Sequence, residues 1–249
     1  MTYKALIFDL DGTAIPNKSD GMPSQRLIDD ILEVQKLLRV SVATGRPISN
    51  CRHILKVLNI KSTCVIAGGT QLINPQTEET LWKKELSINQ VQQIIDVALP
   101  FEYQIYISDE EESSLARDKQ ITKPEQIVYI MKVTEKDTKI IMQKLNEIRD
   151  IVAHEVKSWT PNQIDIHITH KDATKKHALE ELLKIEKINK REVIAVGDSN
   201  NDLPLFEVAS YKVAMGNASD KLKQTADYIA PTADADGLAQ VIEEKILRL

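Results

Sequence analysis

Residues 7–13 read Ile-Phe-Asp-Leu-Asp-Gly-Thr. An apolar run stops on a carboxylate, takes one more apolar residue, then presents a second carboxylate, a glycine and a hydroxyl. Buried carboxylates are costly unless paired, hydrogen-bonded or metal-bound. Asp9 and Asp11 stand two apart, so on extended backbone they point the same way. Like charges that close repel and raise one pKa unless a cation joins them. The stretch therefore reads as the end of a buried strand, KALIF at 4–8, delivering two acids to a site that needs a cation.

Working outward, residues 24–38 place Leu27, Ile31, Val34 and Leu38 on one helical face. RVSVAT at 39–44 is a β-branched strand, a helix follows from about 47 to 58, and CVIA at 64–67 is another short strand. The β-α-β-α-β order is the grammar of a parallel sheet with helices on both faces. It resumes late, with a helix at 174–187, EVIAV at 192–196, a short helix at 201–208, YKVAM at 211–215 and an amphipathic helix from about 237 to 247.

The middle differs. A helix at 87–99, strands at 101–108 and 126–133, a helix at 135–148 and strands at 151–156 and 163–168 predict an αββαββ unit with an antiparallel sheet. The expected organisation is a discontinuous core of 1–81 with 169–249, and an inserted domain at 82–168. The charged stretch 109–125 lacks periodicity and reads as a loop. Its Arg117, Lys119 and Lys123 are candidates to meet the second polar end of a substrate.

Composition sets bounds. The chain of 249 residues is 42% hydrophobic, ample for a core, with 32 basic against 37 acidic residues and a net charge of −5. That balance argues against a nucleic-acid partner, which favours a basic face. Cys51 and Cys64 form no CxxC pair and read as small core residues of a reducing compartment. No apolar run approaches the roughly 20 residues of a membrane span. The expectation is a soluble cytoplasmic protein, monomeric or homodimeric, with no membrane partner.

Open parallel sheets build their sites at the carboxyl ends of the strands, near the point where strand order reverses. Asp9 and Asp11 follow the first strand, Thr44, Gly45 and Arg46 the second, and GDSNND at 197–202 follows the strand at 192–196. Lys175 opens the helix before that strand. Each piece alone has a plainer reading. DxDGT could be an acidic turn, TGR a strand-to-helix turn, Lys175 a solvated lysine and GDSNND a helix cap. Their convergence on one edge brings carboxylates, a hydroxyl and a cation together.

IFDLDGT, VATGRP, ATKKHAL (173–179) and GDSNNDLPLF (197–206) resemble, in order, the four motifs of the haloacid dehalogenase superfamily of phosphatases. The tail at 214–242 resembles the Cof-like branch, and the inserted unit resembles that branch's larger (type IIB) cap. The resemblance implies a Rossmann-like α/β core with an inserted α+β cap, and a Mg²⁺-dependent phosphomonoester hydrolase of a small phosphorylated metabolite. It implies Asp9 as nucleophile, Asp11 as acid and then base, Thr44 as a donor to the phosphoryl oxygens and Lys175 as the neutralising cation. Mg²⁺ would be held by Asp9, the Asp11 carbonyl and Asp198, with Asp202 behind. Gly12, Thr13, Gly45, Arg46 and Asn201 would line the substrate.

The sequence departs from the branch at Lys176, where relatives carry glycine, at AGGT (67–70), where they show NGA, and at His167, where many have an acid. A histidine there resembles archaeal-type phosphoglycolate phosphatases. Its plainer reading is a packed strand histidine. Pairing with His170 on a metal is disfavoured, because residues three apart on a strand face opposite ways. What the resemblance implies is the substrate class, a small phosphorylated metabolite such as a sugar phosphate or a phosphoglycolate-like acid, and the sequence does not name the compound. Two other classes share the motifs: a phosphomannomutase-like mutase, which must exclude water, and a non-catalytic phosphate-binding regulator. The regulator reading wants a lost nucleophile or a lost lysine, and neither is missing. Phosphate release without a bisphosphate activator separates hydrolase from mutase.

Overall fold

The structure is a computed structural model, and it describes residues 3–18, 20–109, 113–116, 120–158 and 160–248. Along the chain, β1 (Ala5–Phe8), α1 (Gln25–Val34), β2 (Arg39–Val42), α2 (Ile48–Val57), β3 (Cys64–Ile66), β4 (Gln71–Ile73) and β5 (Thr80–Lys83) come first. Next are α3 (Ile88–Ala98), β6 (Gln104–Ser108), β7 (Ser113–Leu115), β8 (Ile127–Val133), α4 (Glu135–Leu145), β9 (Ile151–Lys157) and β10 (Ile164–His170). The chain closes with α5 (Lys175–Glu186), β11 (Val193–Gly197), α6 (Leu203–Glu207), β12 (Tyr211–Ala214), α7 (Asp220–Lys223), β13 (Tyr228–Ile229) and α8 (Gly237–Lys245). These elements form two compact units, 1–83 with 174–249, and 84–173.

The first unit is a parallel α/β sheet in the order β13-β12-β11-β1-β2. β1 and β11 are buried along their whole length, which is why they read as unbroken apolar runs. The chain leaves β1 toward β2 and returns through β11 on the other side, so strand order reverses between β1 and β11. Helix α1 starts on a Ser24 cap that accepts from Leu27 N, and it buries Leu27, Ile31 and Val34. Cys51 and Cys64 are free buried thiols, and burial pushes both up to about 12.

Two features of this unit were not anticipated. CVIA is tied to β2 only by an isolated parallel bridge between Ala43 and Val65. Its ladder partner is β4, which pairs in turn with β5 in an antiparallel three-stranded sheet. Strands β4 and β5 are only three and four residues long, too short for a period to stand out.

The second unit is an antiparallel sheet, β7-β6-β8-β10-β9, whose strands alternate in burial. Ile105, Ile107, Val128, Ile130, Ile166 and Ile168 join residues of α3 and α4 in its core. The element order is αβββαββ, one strand more than αββαββ. The extra strand, β7, lies inside the charged stretch read as a loop. It exists because β6 offers it a ladder, Tyr106 opposite Leu115 and Ser108 opposite Ser113. Lys123 pairs there with Asp109, while Arg117 and Lys119 lie outside the described residues. His167 packs edge-on to Tyr129, ring centroids 4.8 Å apart, and burial holds its imidazole below the usual pKa. Among the described residues, no helix is long and apolar enough to cross a membrane.

Candidate active site

The carboxyl edge of β1, β2 and β11 carries the site. Asp9 follows β1 directly, and its N–H donates to Val196 O at 3.1 Å, so the backbone there is an extension of the sheet. The chain then folds into a tight loop in which the N–H groups of Thr13, Ala14 and Ile15 converge on Leu10 O. Gly12 sits in this loop at φ +76°, and a Cβ there would stand 2.3 Å from Asp198 Oδ2. Both the backbone angle and the neighbour therefore require glycine.

Lys175 is the first residue of α5, capped by Thr174, whose side chain accepts from His177 N. Its ammonium donates to Asp9 Oδ1 at 3.0 Å and Asp202 Oδ1 at 2.7 Å. All three side chains are buried, with exposures of 5%, 7% and 0% in the order Lys175, Asp9, Asp202. Burial alone would lower Lys175, but Asp9 and Asp202 outweigh it and hold the ammonium above the usual lysine range. Burial raises the Asp9 carboxyl to about 7, opposed by Lys175 and reinforced by Asp202 and Asp198.

Asp202 serves as an internal brace. Its other oxygen accepts from the N–H groups of Asp198 and Ser199, both at 3.1 Å. It thereby ties the turn after β11 to the lysine at the start of α5. Asp198 is half-buried, and burial raises its carboxyl to about 6, with Asp202 adding to the rise and Lys175 opposing it. Among the described residues, the one group of three potential ligand side chains is Asp9, Asp198 and Asp202, with carboxylate oxygens all within 4.8 Å. Lys175 already offsets part of the charge of Asp9 and Asp202, and the hard oxygen donors left on Asp9 and Asp198 suit a hard divalent ion. The donor set fits Mg²⁺ chemically, with Asp202 already committed to Lys175 and two amides.

Thr44 is fully buried. Its hydroxyl oxygen accepts from Arg46 N at 3.1 Å and its carbonyl accepts from Gly68 N at 3.2 Å. Thr13 Oγ1 is buried with no hydrogen-bond partner among the described residues, which leaves a donor for a ligand oxygen. A Cβ at Gly45 would meet nothing within 4 Å, so that position opens outward. Asn201 is exposed, its Oδ1 accepting from Ser199 Oγ, and it is not part of the acidic cluster. Asp11 is likewise outside that cluster. Both of its oxygens are taken by Arg46, Nε at 2.8 Å and Nη2 at 2.5 Å.

Two residues essential to this geometry were missed in the sequence. Asn217 Nδ2 donates to Gly12 O at 2.8 Å and lies 3.4 Å from Asp198 Oδ2, while its Oδ1 accepts from Ala233 N at 2.9 Å. One amide thus joins the β1 loop, the β11 loop and the C-terminal tail. Gly69, at φ +101°, lets its turn close on the start of α5, since a Cβ would stand 2.2 Å from Lys175 N. The AGG stretch at 67–69 was the available signal for Gly69. Asn217 carried no local one.

Residues 6–242 match the family of haloacid dehalogenase-like hydrolases. The chain is 26% identical to the 5-amino-6-(5-phospho-D-ribitylamino)uracil phosphatase of Bacillus subtilis, across 98% of this chain and 96% of that protein. It is 24% identical to a phosphoglycolate phosphatase of Methanobrevibacter smithii, across 99% of this chain and all of the relative (100%). Its fold superposes on a HAD subclass IIB sugar phosphatase with a TM-score of 0.76 at 21% identity, covering 96% of this chain and 98% of that one. With motif order, sheet topology and match all in agreement, this chain belongs to the haloacid dehalogenase-like hydrolase family, among relatives that are named phosphatases.

Proposed function

We propose that this protein is a Mg²⁺-dependent phosphatase that hydrolyses a small phosphorylated metabolite through an aspartyl-phosphate on Asp9. The observation that carries the reading is the buried chain of Asp198, Asp202, Lys175 and Asp9. It presents a carboxylate nucleophile beside a fixed ammonium, at the edge where a phosphate would arrive. Asp9 and Asp198 would hold the ion together with the Asp11 carbonyl, and the ion would supply positive charge for the phosphoryl oxygens. Phosphoryl transfer needs little more than positioning and charge stabilisation.

In the first step Asp9 Oδ attacks phosphorus and the ester P–O bond breaks, while Asp11, entering the step protonated on one oxygen in place of one of its two bonds from Arg46, gives that proton to the departing oxygen. In the second, Asp11 takes a proton from water as the water oxygen attacks phosphorus. The Asp9–phosphate bond then breaks and inorganic phosphate leaves. Lys175 faces the charge on Asp9 throughout, and the hydroxyls of Thr44 and Thr13 are the neutral donors. The relatives' names frame the substrate: a phosphorylated ribitylaminouracil, phosphoglycolate or a sugar phosphate. A chain located in the cytoplasm and free of nucleic acid fits such a metabolite.

The test is phosphate release with Mg²⁺ from ribose 5-phosphate, glucose 6-phosphate, 2-phosphoglycolate and 5-amino-6-(5-phospho-D-ribitylamino)uracil. Asp9→Asn keeps the shape but makes a poor nucleophile, so turnover should disappear while the fold remains. Activity within about tenfold of wild type would remove Asp9 from that role.

A further inference from the structure

Arg46 lies in the loop after β2, where the second motif would offer a cation to the substrate. The structure gives it another task. Its guanidinium forms two parallel bonds to Asp11, Nε to Oδ2 at 2.8 Å and Nη2 to Oδ1 at 2.5 Å. The remaining nitrogen, Nη1, donates to Asn50 O at 3.3 Å in α2. The Arg46 backbone is held as well, its N–H on Thr44 Oγ1 at 3.1 Å and its carbonyl accepting from Ala67 N at 2.8 Å. The side chain is only 17% exposed and that of Asp11 31%. A planar fork on both oxygens sets the plane and direction of a carboxyl group, which a point charge cannot do.

We propose that Arg46 is the positioning residue of Asp11, aiming the carboxyl group that passes protons, and that it is not a ligand of the phosphate. The proposal rests on the proton-carrying role given to Asp11 above. Arg46 spends three of its five N–H donors on Asp11 and Asn50, and the Nε–Nη2 edge that forms the fork is closed to a phosphate while Asp11 holds it. Lys175, together with a metal ion held by Asp9 and Asp198, would supply the cations for the phosphoryl group.

The two roles differ in what they predict. A phosphate ligand acts on every phosphate alike, and lysine replaces it in part. A positioning fork acts only where Asp11 moves a proton, and lysine cannot form it. Arg46→Gln and Arg46→Lys are to be compared with wild type and Asp11→Asn, with Mg²⁺. The substrates are the best alkyl phosphate of the panel above and p-nitrophenyl phosphate, whose leaving group departs without a proton. Misplacing a reacting group by about 1 Å costs ~10²-fold, so both Arg46 variants should lose ~10²-fold in kcat on the alkyl ester. On p-nitrophenyl phosphate the nitrophenolate burst should survive, and slow turnover should follow it. KM and the inhibition constant of inorganic phosphate should stay within about threefold of wild type. In an Asp11→Asn background, Arg46→Gln should change kcat by less than about threefold, because it acts through the group already removed.

Three results would overturn the proposal. One is a rise of about tenfold or more in KM and in the phosphate inhibition constant for every substrate, repaired by lysine. Another is an equal loss in the first, phosphoryl-transfer step on both esters, with no nitrophenolate burst, in the Arg46 variants. The third is a multiplicative further loss in the double mutant. If Arg46→Gln fails to fold, Arg46→Lys, which keeps the charge, carries the same comparison. Asp11→Asn separates the two levels of failure. An equal loss on both esters with no nitrophenolate burst in that control would refute the proton-carrying role itself. The leaving-group pattern in Asp11→Asn without its counterpart in Arg46→Gln would refute only the role of Arg46.

Discussion

Protons and metal should compete for the acidic cluster, and the size of the competition follows from its burial. Asp9 is raised to about 7 and Asp198 to about 6, against an ordinary 3.8. In the metal-free folded protein at pH 8 both are ionised. At pH 5 protonation would oppose metal by ~10² at Asp9 and ~10 at Asp198, so the Mg²⁺ dissociation constant should rise ~10³-fold between pH 8 and pH 5. Carboxylates at their ordinary value would give almost no change over that range. The sign for stability is the opposite of the usual carboxylate case. A group raised on folding holds its proton in the folded state after the unfolded chain has released it. Metal-free stability should therefore fall as pH climbs from about 4 toward 7, then level off. Magnesium at pH 8 should restore part of that loss by binding only the folded form. Isothermal titration calorimetry in two buffers of different ionisation enthalpy reads both the affinity and the protons released, about one to two per ion near pH 6. A dissociation constant that moves less than about tenfold across the range would refute the argument that burial and mutual repulsion shape this cluster.

Lys175→Met should destabilise the metal-free protein by about 3–5 kcal/mol at pH 8, because it strands two buried carboxylates. The loss should shrink at pH 5, and urea denaturation giving under about 1 kcal/mol at pH 8 would contradict the buried-bridge account. Gly69→Ala should cost ~1–3 kcal/mol through its left-handed backbone, and should lower kcat by shifting the start of α5, where the new Cβ would meet Lys175 N at 2.2 Å. A thermal melt and a kcat both unchanged would show that the turn and α5 can separate without cost.

What was legible in the sequence was local. The strand preceding Asp9, the turn glycine at Gly12, the cap and lysine at Thr174–Lys175 and the acids after β11 are each written within a few consecutive residues, because a strand end and a helix start are set by neighbours in the chain. The α/β class and the inserted α+β unit follow from the same short-range periodicities. Strands β4, β5 and β7 were not legible, since none carries the unbroken apolar run that marks β1 and β11, and strands this short form where a neighbour offers a ladder.

Partnership across the fold was decided by tertiary structure alone. That the fork of Arg46 closes on Asp11, 35 positions away, is visible only once the β1 and β2 loops stand side by side. That Asp202 is also buried on Lys175, 27 positions away, is visible only once the turn after β11 and the start of α5 are packed together. Asn217 reads as nothing until the tail returns and its amide reaches Gly12, 205 positions back. A side chain's chemistry is carried by its identity, but its partner is chosen by whichever segments the sheet brings to one edge. That choice is made by the burial of the whole core, which no short window of sequence contains.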